Sequence, residues 1–179
     1  MTGRILVAYA TRTGSTEGVA KAIGETLAED GTPVDVLPMS DVTDLSAYSA
    51  VVAGSAIRGG VWLPEAMEFV TSHKTALAQR PFAPFLVCIT MSMKNENYRR
   101  GVAEWLKPVT KLVSPVSEGY FAGALDFDKL PWSFSTLGLR IAVGLGFWTS
   151  GDHRDWEAIR AWARSTAPKL QAGQAALRH

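Results

Sequence analysis

Ile5-Leu6-Val7-Ala8-Tyr9-Ala10-Thr11-Arg12-Thr13-Gly14-Ser15-Thr16 reads as a buried strand that runs into a hydroxyl-rich turn and opens a helix. This junction decides the fold. Hydroxyl side chains, one glycine and a helix N-terminus fall within residues 11–16. Unpaired backbone N–H groups and the positive end of a helix dipole favour an anion there. No lysine follows Gly14, as it would in a nucleotide-triphosphate loop, and no glycines stand at dinucleotide-fingerprint spacing. A hydroxyl socket without a fixed cation suits one terminal monoester phosphate. The other reading of the same residues is an ordinary helix start with Thr13 or Ser15 as N-cap.

Working outward, 179 residues suit one domain, residues 1–179, with a substantial core. Hydrophobic residues make up 47% and charged residues 20%, the balance of a folded globular chain. A formal net charge of +1 argues against nucleic-acid binding through a broad basic field. It also argues against a strongly acidic carrier that steers by charge. No basic region followed by an apolar core opens the chain, so no signal peptide is expected. The lone cysteine, Cys88, excludes an internal disulfide and a cysteine metal cluster, and its apolar surroundings suit a buried structural thiol. Cytoplasmic residence is the default expectation.

Strands are expected at residues 4–10, 34–37, 50–54, 84–89 and 116–123. Helices are expected at 16–30, 64–79, 97–113 (perturbed by Pro108) and from about 152–155 past Leu170. Alternating strands and helices imply an α/β fold, a five-stranded doubly wound parallel sheet with right-handed crossovers. Ligands of such sheets bind at the carboxyl ends of the strands around a switch in strand order.

Two further loops converge on that edge. Gly54-Ser55-Ala56-Ile57-Arg58-Gly59-Gly60-Val61-Trp62 offers glycines for close backbone approach to a flat ligand. Trp62 either stacks on that ligand or packs beneath the loop. Arg58 is the catalytic candidate, able to stabilise negative charge on the ligand or bind a substrate carboxylate. Thr90-Met91-Ser92-Met93-Lys94-Asn95-Glu96-Asn97-Tyr98 offers amides, hydroxyls and soft side chains. Tyr98 touches a ring or belongs to the next helix face. His73, His153 and His179 have no nucleophile or metal-ligand partner at motif spacing, so no metal site is expected.

With these loops in order, the chain resembles the flavodoxin superfamily along nearly its whole length. The resemblance implies a flavodoxin-like sheet of order 2-1-3-4-5 and FMN as cofactor. It implies that Thr11, Arg12, Thr13, Gly14, Ser15 and Thr16 surround the phosphate. It further implies that Ser55, Ala56, Ile57, Arg58, Gly59, Gly60 and Trp62, with Thr90, Met91, Ser92, Met93 and Asn97, line the ring. Gly54-Ser55-Ala56-Ile57-Arg58-Gly59-Gly60, Phe121-Ala122-Gly123-Ala124-Leu125, an insertion after the fifth strand, and Asp155-Trp156 carry a closer likeness. They resemble flavodoxin-like menaquinone-dependent protoporphyrinogen oxidases and related flavodoxin-domain proteins. That likeness implies an FMN-dependent oxidoreductase passing electrons or hydride from a reduced substrate, such as protoporphyrinogen IX, to a quinone-type acceptor. The alternative is a non-enzymatic electron-transfer protein that docks redox proteins.

The insertion, about residues 124–151, is expected to be apolar and helical. Leu137, Ile141, Leu145 and Trp148 recur at helical spacing, while Leu139, Val143 and Phe147 fill the other side. Such a segment covers the site, meets a second subunit in a homodimer, or makes a peripheral membrane or quinone contact through Trp132–Trp148. Arg140 and the glycines within it argue against a membrane span.

Overall fold

The computed structural model describes residues 3–92, 100–125 and 151–176. The opening stretch forms β1 (Arg4–Ala10) and α1 (Ser15–Leu27), and β2 (Val34–Pro38) follows. Next come β3 (Tyr48–Arg58), β4 (Val61–Trp62), α2 (Pro64–Ser72), α3 (Lys74–Ala78) and β5 (Phe82–Cys88). The described chain ends with α4 (Lys107–Thr110), β6 (Gly119–Ala122), β7 (Ala124–Leu125), β8 (Gly151–Asp152) and α5 (Trp156–Ala176).

The main sheet has order β2-β1-β3-β5-β6, with β4 paired to β3. Its long strands are parallel, as in Val7↔Val36, Val7↔Val52 and Ser55↔Leu86. This is the expected flavodoxin-like doubly wound fold. Strand alternation splits the core into two layers. Leu6, Ala8 and Val51 pack with Phe69, Val70, Leu77 and Leu106, whereas Ile5, Val7 and Val52 pack with Val19, Ile23, Ile159 and Leu170. Full burial of each such large aliphatic side chain stabilises the fold by about 1.5–3 kcal/mol before entropy is counted.

Several elements differ from the sequence expectation. The third strand extends from 50–54 to Tyr48–Arg58, because Ser55 and Ala56 still pair with Leu86 and Val87 of β5. The helix expected at 64–79 breaks at His73, whose backbone N–H and ring Nδ1 both approach the Phe69 carbonyl, at 3.1 and 3.0 Å. Pro108 lies in the first turn of α4, following a 3₁₀ turn at Ala103–Trp105. A missing N–H costs nothing there, so the proline starts a new helix instead of bending an old one. The fifth core strand shortens to Gly119–Ala122, and the Val116 N–H to Phe82 carbonyl bond (2.8 Å) extends its approach.

The insertion begins and ends in a ribbon that the sequence did not suggest. Here β7 pairs antiparallel with β8, through Ala124↔Asp152 and Leu125↔Gly151. The expected apolar helix within it lies outside the described residues. Beyond the ribbon, α5 is capped by Asp155, whose Oδ1 accepts the Ala158 N–H at 2.9 Å.

Candidate functional site

The turn after β1 is built on Gly14, which takes φ 86° and donates its N–H to Thr11 Oγ1 at 3.1 Å. Glycine adopts this left-handed conformation without a Cβ penalty. Gly14 itself is the N-cap of α1, and no side-chain cap accepts from the helix's first N–H groups among the described residues. The alternative reading of the turn, an ordinary cap by Thr13 or Ser15, does not occur. The first N–H groups of a thirteen-residue helix therefore face the loop bare. Thr16 is 0% exposed, and its Oγ1 has no hydrogen-bond partner among the described residues. A buried hydroxyl without a partner costs about 1–3 kcal/mol, so it marks a place where an acceptor belongs. Bare amides, the dipole and an orphaned hydroxyl together fit a phosphate monoester.

Arg12, expected among the residues around the phosphate, turns its side chain toward α2. Its guanidinium forks onto Glu65 in the first turn of α2, with Nη1–Oε1 at 2.5 Å and Nη2–Oε2 at 2.9 Å. An open cavity of about 150 Å³ lies beside this pair, at the ends of β1 and β2, lined in part by Tyr9, Thr11, Ser40 and Glu65. It sits on the β2 side of the turn, where Pro38 and Met39 also line it.

The second loop is a hairpin, not an open coil. Gly59 and Gly60 take φ 61° and 79°, the positive angles a two-residue primed turn demands at both central positions. Ile57 and Arg58 pair across it with Trp62 and Val61. Ser55, expected to line the ring, turns its hydroxyl into the fold. It is fully buried, accepts the Leu63 N–H at 3.0 Å and donates to the Ala56 carbonyl at 2.8 Å. Its hydroxyl therefore anchors the returning arm of the hairpin. Ala56 and Ile57 are half-buried and pack on the core, and Arg58 is exposed at the end of β3.

Trp62 takes the second of its two expected places. It is 2% exposed, in the core beneath the hairpin, with Nε1 unpartnered among the described residues. The tryptophan at the hairpin tip is Trp105, whose Nε1 lies 3.1 Å from the position a Cβ on Gly60 would take. Sequence reading gave no signal for it, because Trp105 lies 45 positions from Gly60 in a segment expected to be plain helix. Gly54 is also explained differently. A Cβ there would sit 1.9 Å from Phe85 Cζ, so its bareness admits a core ring and not a ligand.

The third loop begins with a 3₁₀ turn, Ile89–Ser92, in which Ser92 Oγ donates to the Ile89 carbonyl at 2.7 Å. Thr90 and Met91 lie in that turn, half-buried, at the edge shared with the hairpin. Met93, Asn97 and Tyr98 lie outside the described residues. At the base of this turn, burial pushes the Cys88 thiol up to about 11.

The base of the insertion closes onto the same edge. Gly123 follows β6, and a Cβ there would stand 3.6 Å from Ser15 Oγ. Arg154, 17% exposed, forks onto Asp152, with Nε–Oδ1 and Nη2–Oδ2 both at 2.7 Å. It also lies 4.4 Å from the centroid of the Trp156 ring and donates from Nη1 to the Ser15 carbonyl at 3.4 Å. The arginine holds the Asp152 carboxyl below the usual carboxylate range. The turn is thus held on two sides by arginine–carboxylate forks. Among the described residues no cluster of His, Cys, Asp or Glu could hold a metal ion, and no helix is long and apolar enough to cross a membrane.

The flavodoxin domain family matches residues 6–137. The chain belongs to that family. Flavodoxin domains bind FMN, and the phosphate turn described above has the donors such a cofactor needs. No curated protein matches the chain. Solved structures share its fold. The Streptococcus pneumonia TIGR4 flavodoxin is 16% identical, with 94% of this chain and 100% of that chain covered and a TM-score of 0.57. Flavodoxin 2 from Bacillus cereus is 21% identical, with 93% and 99% covered and a TM-score of 0.55. Rubredoxin oxygen:oxidoreductase from Desulfovibrio gigas is 16% identical, with a TM-score of 0.53. Here 96% of this chain covers 37% of that one, so the fold also occurs as part of a larger enzyme.

Proposed function

We propose that this flavodoxin-family protein binds FMN at the carboxyl edge of its sheet and passes electrons through it. The uncapped start of α1, with Gly14 at φ 86° and the orphaned Thr16 hydroxyl, carries the reading. Thr11, Thr13, Gly14, Ser15 and Thr16 hold the phosphate by amides and hydroxyls. Arg12, in the middle of that turn, is held by its fork with Glu65. The hairpin from Ala56 to Trp62 and the turn of Thr90, Met91 and Ser92 form the walls beside the ring. When bound, FMN supplies the redox chemistry. The chain's own residues bind it, orient it and exclude water from it. Arg58, at the end of β3, stabilises negative charge on the ring or on an acidic substrate.

Within that reading, the protein is an oxidoreductase taking electrons from a reduced small molecule and delivering them to a quinone-type or redox-protein acceptor. Its near-neutral charge of +1 favours this over a carrier that steers by an acidic face. The likeness at residues 54–60 and 121–125 suggests protoporphyrinogen IX as the first reductant to try. The apolar stretch Trp132–Trp148 suggests peripheral contact at the inner face of a cell membrane, or a homodimer. A visible spectrum of the purified protein supplied with FMN tests the cofactor. Anaerobic reduction followed by mixing with a soluble quinone, and oxidation assays with protoporphyrinogen, separate enzyme from carrier. Quinone reduction no faster than by free reduced FMN would contradict the oxidoreductase reading. Deleting residues 132–148 should abolish association with anionic liposomes, and unchanged association would end the membrane role.

A further inference from the structure

We infer that Glu65 is a positioning residue for the phosphate, acting through Arg12 as a clasp between the phosphate turn and the start of α2. The inference rests on the FMN reading above. Arg12 stands between Thr11 and Thr13, the middle of the turn, while Glu65 follows Pro64 at the head of α2, directly after the hairpin. The two are 53 positions apart in sequence, yet both oxygens of Glu65 engage both terminal nitrogens of Arg12. A two-point fork fixes direction as well as distance, which a single ammonium contact does not. It ties the turn that holds the phosphate to the chain segment that leaves the ring-side hairpin.

The chemistry of the turn gives this tie a purpose. A loop that binds through backbone N–H groups has to hold its shape, because amide dipoles lose their value when misaligned. Thr11 Oγ1 and the Gly14 N–H brace the turn from within. Arg154 braces it behind, at the Ser15 carbonyl. Arg12 and Glu65 brace its open front. Glu65 has a second reason to stand at the head of a helix, where a carboxylate complements the dipole. Paired in this way, Arg12 adds no net cation to the phosphate site, and the pair works by geometry.

The side chains are about half and a third exposed, at 49% and 37%, so water screens the pair and its effect is moderate. Arg12→Gln and Glu65→Gln should each raise the Kd for FMN about three- to fivefold. The double variant should be no weaker than either single one. Riboflavin, which lacks the phosphate, should change by less than about twofold. The exchange Arg12→Glu with Glu65→Arg should restore FMN affinity to within about twofold. Arg12→Lys, which keeps the charge and loses the fork, should behave like Arg12→Gln. Urea unfolding of each apoprotein checks that the variants fold. Tighter FMN binding on Glu65→Gln would overturn the clasp and make Arg12 a direct counter-ion. Additive losses, or no loss at all, would overturn it too. In each case FMN binding by the unaltered protein leaves the cofactor reading intact.

Discussion

Replacing Thr16 by valine should change stability and affinity in opposite directions. The two side chains have nearly the same shape, and Thr16 is wholly buried in the first turn of α1. Its Oγ1 has no partner among the described residues. Removing it relieves an unpaired hydroxyl, which should stabilise the apoprotein by up to about 1–3 kcal/mol. β-Branching is kept, so helix propensity contributes little. On the proposed reading, the same hydroxyl donates to the phosphate once FMN is bound. A hydrogen bond to a charged group is worth about 1.5–3 kcal/mol, so the Kd should rise about 10- to 150-fold. Urea unfolding of the apoprotein measures the first effect, and quenching of flavin fluorescence measures the second. Riboflavin affinity should stay put. A less stable apoprotein, or unchanged FMN affinity, would refute the reasoning, since the hydroxyl would then serve the fold alone.

Three other perturbations follow from the packing. Gly54→Ala places a Cβ 1.9 Å from Phe85 Cζ, in a ring cluster with Phe121 and Trp162, and should cost about 3 kcal/mol or more by urea unfolding. Adding Phe85→Leu should recover part of that loss, and a double variant as unstable as the sum would contradict the contact. Ser55→Ala orphans the buried Leu63 N–H and should cost about 1–3 kcal/mol, with an unchanged urea midpoint as the contrary result. The Cys88 thiol, raised to about 11 from 9.0, favours the protonated folded state. Its contribution is complete below pH 9 and is lost as pH rises through about 11, by up to about 3 kcal/mol. Cys88→Ala should therefore lose less stability than the unaltered protein across that range, and parallel pH profiles would contradict the assignment.

The parts legible in sequence were local ones. Residues 4–10 form the expected strand because an unbroken apolar run suits a strand buried on both faces. The turn between β1 and α1 was legible because Gly14 and its hydroxyl neighbours sit together within residues 11–16. Residues 55–58 misled, since Ser and Arg read as loop, while pairing with β5 and the glycine turn keep them in β3. Gly54 looked like a ligand contact because the requirement comes from Phe85, 31 positions on. Glu65 and Trp105 gave no local signal, as each matters through a residue of another loop. The contact of Arg154 with Ser15 spans 139 positions and leaves no local mark in the sequence. Tertiary contact sets these roles, and periodicity does not encode it.

The central claim is that residues 11–16 form an FMN phosphate site. Titrating the apoprotein in parallel with FMN and riboflavin tests it most directly. The account predicts a yellow one-to-one FMN complex with quenched flavin fluorescence, and riboflavin binding at least about tenfold weaker, the value of one or two phosphate hydrogen bonds. Equal affinity for the two flavins, or no flavin binding at all, would contradict it.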